Sequence, residues 1–272
     1  MVISIDAAFS LPCAGRRVMW LTRGLMIALL AAATGCAPGL QSQAAGTPAA
    51  ALLQGGFATV LSAGPGSGPH GSAIAMDREY VLTSAHLLRA GERSLWLRRP
   101  DGMMAHAQVV ALGAGLDLLV LRTEVDFLSA PKFAHRAPLA GEAVWALGAP
   151  GIGPSLSVGR VDWAQVVLEG SGPGFVAQMP ALMGYSGGPV VNADGAVLGL
   201  TTAMLRTGTA VTLGHATGID LDGLTQGQTR RVFALSAESA LAEARRLTAA
   251  AAQAIERHVS AGAALRDPRA PG

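Results

Sequence analysis

The chain has 272 residues, half of them hydrophobic, and a formal net charge of +2. It is long enough to bury a sizeable core and too apolar to be disordered throughout. The positive charge comes from scattered arginines, with Lys132 the only lysine, so the basic block that a nucleic-acid groove needs is missing and nucleic acid is excluded as an expected partner.

In chain order, Arg16, Arg17 and Arg23 precede the apolar run Gly24 to Ala33, a charged n-region followed by an h-region. Residues 1–35 are expected to be a signal peptide, and a compact one would start at Met19. The run is short for a membrane span. It ends in Ala33-Thr34-Gly35-Cys36, which resembles the bacterial lipobox, with Ala33 where Leu is usual. That resemblance implies lipidation of Cys36 and a membrane anchor in the cell envelope, facing the periplasm; release by ordinary signal peptidase is the alternative. Cys13 and Cys36 are the two cysteines, so no disulfide is expected in the body. Residues 36–55, rich in Ala, Gly, Ser, Pro and Gln, are expected to be a flexible tether.

From Gly56 short apolar runs follow one another: 57–61, 72–76, 80–83, 94–97, 107–112, 116–122, 143–147, 157–164, 175–179, 189–191 and 196–203. Gly, Pro and Asp punctuate them, which predicts an all-β barrel or sandwich. Asp194-Gly195 signals a hairpin through positive φ angles. Residues from Thr207 to about Thr229 read as a long loop. From Ala237 to Val259 the period becomes helical, with Leu241, Ala244, Leu247, Ala251, Ile255 and Val259 on one stripe and Ser236 as N-cap. The stripe suits packing onto the chain's own domain or an oligomer contact. Residues 248–272 are expected to be a helical extension with a frayed end.

Three motifs carry chemistry. Ser186 lies in Gly184-Tyr185-Ser186-Gly187-Gly188-Pro189, and a serine hydroxyl needs a base to become a nucleophile at neutral pH. His86, in Thr83-Ser84-Ala85-His86, is the candidate base. Asp117, inside the apolar run at 116–122, is the candidate carboxylate that orients it, because a charge there is costly to bury without a partner. The backbone N–H groups of Gly184 and Ser186 are placed to hold an oxyanion. His70, His106, His135, His215 and His258 have no such context. Metal-binding spacings such as HExxH, CxxC and the EF-hand loop do not occur, so neither metal nor cofactor is expected. Gly184 to Gly188 also satisfies the G-x-S-x-G elbow of α/β-hydrolase esterases, with Asp220 or Asp222 and His258 as partners. That elbow must open a helix, and here Pro189 and a hairpin follow.

These stretches resemble the trypsin-like, chymotrypsin-fold serine proteases, and among them the bacterial HtrA/Deg type. The similarity lies in Gly71 to Leu88 around His86, Leu116 to Arg122 around Asp117, Gly141 to Pro150, Gly184 to Ala203, and Val232 to Ser236. It implies two six-stranded antiparallel β-barrels with a C-terminal helix. The protease domain would cover residues 56–247, with barrels at about 56–137 and 138–231 and a closing helix from 237. It further implies an endopeptidase acting on protein or peptide substrates through His86, Asp117 and Ser186, with Thr201, Thr202 and Ala203 flanking the bound peptide. The chain departs from the family at Tyr185, where HtrA enzymes carry Asn and digestive ones Asp, and in the long connection from Leu205 to Arg231. The residues after Leu247 read as helix, not as the PDZ domain common in the family. An idle or latent protease fold acting as a membrane scaffold is the alternative from another class.

Overall fold

Turn chemistry sets the strand ends. Asp77 Oδ1 accepts from the N–H groups of Glu79 (2.9 Å) and Tyr80 (2.8 Å), turning the chain between the strands Pro69–Ala75 and Tyr80–Thr83, and Asp101 Oδ1 does the same for Met103 at 3.1 Å, the usual role of short carboxylates in turns. The computed structural model describes residues 43–61, 64, 66–151, 153–205 and 229–264. The expected signal peptide, Cys36 and the connection from 206 to 228 lie outside the described residues.

Among these residues, twelve strands form two closed antiparallel barrels. The first contains β1 (Phe57–Leu61), β2 (Pro69–Ala75), β3 (Tyr80–Thr83), β4 (Ser94–Arg98), β5 (Met104–Leu112) and β6 (Leu119–Arg122), in the order β1-β2-β3-β6-β5-β4. The second contains β7 (Ala143–Gly148), β8 (Ser155–Leu168), β9 (Gly172–Met179), β10 (Pro189–Val191), β11 (Val197–Leu205) and β12 (Arg230–Ser236), in the order β10-β11-β12-β9-β8-β7. Closure removes the exposed strand edges that invite aggregation. Helix α1 (Ala237–Ala264) follows β12 directly.

Each barrel has its own interior, with Val60, Leu95, Leu97, Leu119 and Leu121 in the first and Val144, Phe175, Ala177, Val190 and Val232 in the second. A third apolar cluster joins them: Phe57, Ile74, Leu82 and Leu118 meet Leu147, Leu200 and Leu235, with Ala240 and Ala244 of α1. The two barrels therefore share buried surface, and the loops that carry the candidate residues converge on it.

Four expectations need correction. The second half of the predicted tether is packed: Pro48–Gln54 forms a 3-10 helix in which Ala49, Leu52 and Leu53 are buried against the body, because its apolar residues find the shared cluster. The hairpin after Ser186 has positive φ at Gly195 (72°) and not at Asp194; Asn192 Oδ1 organises it, accepting from Asp194 (3.0 Å) and Ala196 (2.9 Å). Asp117 lies in a turn ahead of β6, not in a strand. The helical stripe is packed along its first half, at Leu241, Ala244 and Leu247. Ala240 and Ala244 are fully buried, whereas Ile255 is 60% exposed, so α1 outruns the surface it covers. Its cap is as expected, with Ser236 Oγ accepting from the Ser239 N–H at 3.2 Å. Among the described residues no helix is long and apolar enough to cross a membrane.

Candidate active site

His86 occupies the short 3-10 turn Ala85–Leu87 just after β3, fixed by Leu87, which is buried. Asp117 is the central residue of a tight turn closed by the Leu118 N–H on Leu116 O at 2.8 Å. Its carboxylate grips His86 twice: Oδ2 lies 2.7 Å from the ring Nδ1 and Oδ1 accepts the His86 backbone N–H at 3.0 Å. The carboxylate is largely buried, while the imidazole is 46% exposed. One edge of the ring is thus held and the other is open.

Two contacts from beyond the first barrel hold the Asp117 turn. A Cβ on Gly172, at the start of β9, would lie 2.1 Å from Leu116 Cδ2, so Leu116 fills the space that glycine leaves. Glu243 of α1 accepts the Ala114 N–H at 3.0 Å and forms a forked pair with Arg246, both contacts at 2.8 Å. The Arg246 hydrogen bonds first, and the Ala114 N–H second, pull the Glu243 carboxyl down to about 2. A carboxyl with a lowered folded-state pKa stabilises the fold above its unfolded value and loses that contribution as pH falls toward the folded one. The urea midpoint of Glu243→Gln is therefore expected to lie below wild type at pH 7, and the gap to close as pH falls from about 4.5 toward 2.

Ser186 sits between Gly184 and Gly188 in the loop that leads into β10. Ser72 of β2, fully buried, is the clasp of this loop. Its N–H donates to Ser186 O at 2.8 Å and its Oγ donates to Gly184 O at 2.7 Å. The Ala149 N–H is shared between Ser72 Oγ (2.9 Å) and Gly184 O (3.1 Å). The Gly184 carbonyl is thereby turned into the scaffold. Among the described residues the N–H groups of Gly184 and Ser186 have no protein acceptor, which leaves two neighbouring donors for an incoming oxygen. Gly71 separates Ser186 from the His86 turn: a Cβ there would stand 3.1 Å from Ser186 O and 2.3 Å from Leu87 Cδ1. No hydrogen bond joins the Ser186 hydroxyl to the imidazole in this conformation, and such bonds often tighten only once substrate is bound.

Gly184 has φ +97°, and a Cβ on it would lie 2.5 Å from Ala149 O and 2.7 Å from Pro150 Cα. Gly184→Ala must move the loop backbone, and with it one of the two donors. Loss of one such donor predicts a fall in kcat of about 10²- to 10³-fold with a small change in KM, read from steady-state kinetics beside a thermal melt that reports folding.

Tyr185 is buried in the second barrel's interior, and its hydroxyl shares a hydrogen bond with Ser155 Oγ at 2.7 Å. Burial pushes its phenol up to about 12, so it stays neutral. Of the residues expected to flank a peptide, Thr201 and Thr202 are buried and Ala203 is half-buried. The Thr201 carbonyl accepts from Gly187 (2.6 Å) and its N–H donates to Gly188 O (2.8 Å), so Thr201 braces the serine loop. Thr202 is the extra residue of a bulge in the β11–β12 ladder. Among the described residues no cluster of three or more His, Cys, Asp or Glu side chains could hold a metal. Sequence reasoning missed Ser72 and Glu243. A serine inside the apolar strand Gly71 to Ala75 was the available signal for the first, since a buried hydroxyl needs partners; nothing local marked Glu243.

Residues 71–200 match the family description "Trypsin-like peptidase domain". A "Probable periplasmic serine endoprotease DegP-like" of Halomonas elongata is 28% identical over 147 residues, covering 52% of this chain and 31% of that protein. The chain spans about a third of the length of the curated relatives it matches. Among solved structures, the active form of the Rv3671c protease from M. tuberculosis superposes with TM-score 0.55 at 20% identity, covering 72% of this chain and 84% of that one. The HtrA-type protease AlgW with a tripeptide gives TM-score 0.55 at 24% identity, covering 71% of this chain and 60% of that one. Beyond Ser186 the chain enters β10 and not a helix, and the strands of both barrels pair antiparallel, so the esterase elbow does not apply. Residues 71–200 of this chain are thus a trypsin-like peptidase domain, similar to those of HtrA-type serine proteases.

Proposed function

We propose that the protein is an exported serine endopeptidase that hydrolyses peptide bonds of protein substrates through Ser186, His86 and Asp117. The observation that carries the reading is the 2.7 Å contact of Asp117 Oδ2 with His86 Nδ1, beside a serine whose flanking amides have no acceptor among the described residues. With Nδ1–H held by the carboxylate, Nε2 is the basic nitrogen. Ser186 Oγ attacks the scissile carbonyl and its proton passes to Nε2. The Gly184 and Ser186 N–H groups take the oxyanion. Collapse expels the amine, which receives the proton from His86, and leaves an acyl-enzyme. Water then repeats the sequence and frees Ser186.

Thr202 and Ala203, at the bulge, would flank the bound peptide, with Thr201 serving the serine loop. The apolar run before Cys36 supports export, and the periplasmic relative supports an envelope location. In this reading Cys36 is lipidated and holds the protein at the membrane. The test is turnover of an unfolded protein such as reduced casein. Cleavage that a serine-directed fluorophosphonate stops is the expected result; an intact, folded protein that cleaves no unfolded substrate and is not modified by the reagent contradicts it.

A further inference from the structure

The residue beside Ser186 has a seat built for it. Gly148 and Ser155 face each other as the last pair of the β7–β8 hairpin, and Tyr185 lies across both. A Cβ on Gly148 would stand 2.3 to 2.5 Å from Tyr185 Cγ, Cδ1 and Cδ2, so the ring rests on bare backbone and only glycine admits it. The hydroxyl reaches the other half of the pair, Ser155 Oγ, at 2.7 Å. The residue after Gly148, Ala149, gives its N–H to Gly184 O. The hairpin therefore holds the serine loop at two successive residues: the side chain of 185 through Gly148 and Ser155, and the carbonyl of 184 through Ala149.

A ring that fits one slot, with a polar tip held by Ser155 and flanked by the Ser157 hydroxyl, fixes the rotation of its own backbone. That backbone supplies the peptide between Gly184 and Tyr185 on one side and the Ser186 N–H on the other. A charged side chain at this position would need a counter-charge in the barrel interior to be buried; the neutral tyrosine needs only a hydroxyl.

We propose that Tyr185 is the positioning residue of the oxyanion loop, acting through the Gly148–Ser155 pair so that the Gly184 and Ser186 N–H groups are aimed before substrate arrives. The proposal rests on the reading of Ser186 as nucleophile for its kinetic consequences and on the loop geometry alone for its structural ones. Misaimed donors weaken the transition state and spare ground-state binding, so the effect falls on kcat.

The experiment compares wild type with Tyr185→Phe, Ser155→Ala and the double variant, by steady-state kinetics on one peptide substrate and by hydrogen exchange of the segment spanning residues 182–188. Both single variants keep the ring or leave it untouched, and the half-buried site of Ser155 tolerates alanine, so folding is preserved. A lost hydrogen bond of ordinary strength predicts a kcat lower by about tenfold in each single variant, with KM unchanged. The double variant should be no worse than either single one, because both remove the same bond. The amides of Tyr185, Gly187 and Gly188 should exchange about tenfold faster in all three. Wild-type kcat in Tyr185→Phe overturns the proposal whatever its melting temperature, as does an additive double variant. If the wild type turns over no substrate, the reading of Ser186 fails on its own. Exchange then decides the anchor: faster exchange upholds it, and unchanged exchange overturns it.

Discussion

Ser186→Ala is expected to lower kcat on an unfolded protein substrate by about 10⁶-fold, and His86→Ala by a similar factor. The two groups act as one unit: without the hydroxyl there is no acyl-enzyme, and without the imidazole the hydroxyl keeps its proton. The double variant should therefore be no slower than either single variant. A residual rate of about 10³- to 10⁴-fold over water should survive in all three, supplied by the Gly184 and Ser186 N–H groups and by substrate binding. Neither change should unfold the protein, because the His86 imidazole is 46% exposed and the Ser186 hydroxyl has no hydrogen-bond partner among the described residues. Independent losses that multiply in the double variant would contradict the shared mechanism.

Asp117→Asn is expected to lower kcat by about 10⁴-fold, for a reason specific to its two contacts. The His86 backbone N–H can only donate, so it selects the amide oxygen of the new side chain at the Oδ1 position. The amide NH₂ then faces Nδ1, which must become an acceptor, and the ring proton moves to Nε2. That is the tautomer that cannot take the proton of Ser186. Substrate binding does not pass through this contact, so KM should stay near wild type, and a steady-state kcat and KM comparison checks both halves of the prediction. A variant that kept most of its kcat would remove Asp117 from the proposed mechanism.

Much of the fold was legible because short apolar runs and turn residues act locally. The runs at 57–61, 80–83 and 189–191 coincide with β1, β3 and β10, where a strand begins and ends on its own turn signals. The run at 116–122 misled because Leu116 and Leu118 are apolar for different reasons. Leu116 fills the space above Gly172 in the second barrel, and Leu118 is buried in the shared cluster. The chain turns between them, and β6 starts only at Leu119. Burial of Ala49, Leu52 and Leu53 was hidden likewise, since Ala- and Gly-rich composition reads as a linker until a neighbouring surface exists to cover.

At the candidate site, the sequence order of His86, Asp117 and Ser186 named the candidates, and the His86–Asp117 contact is present in the fold. What the sequence did not carry is long-range. Ser72 and Gly184 are 112 positions apart, and Ala114 and Glu243 are 129 apart; such pairings leave no periodic trace. Tyr185 was visible as a departure from the HtrA pattern, but its meaning depended on Gly148 and Ser155 meeting across a hairpin.

Activation of Ser186 as a nucleophile by His86 can be read from the adduct of a fluorophosphonate reagent, mapped by peptide mass spectrometry. One phosphonyl group per chain is expected, on Ser186 in the peptide containing Gly184 to Pro189, and it should be lost in His86→Ala. No adduct on folded protein, an adduct on another serine such as Ser72 or Ser155, or equal labelling in His86→Ala would contradict it.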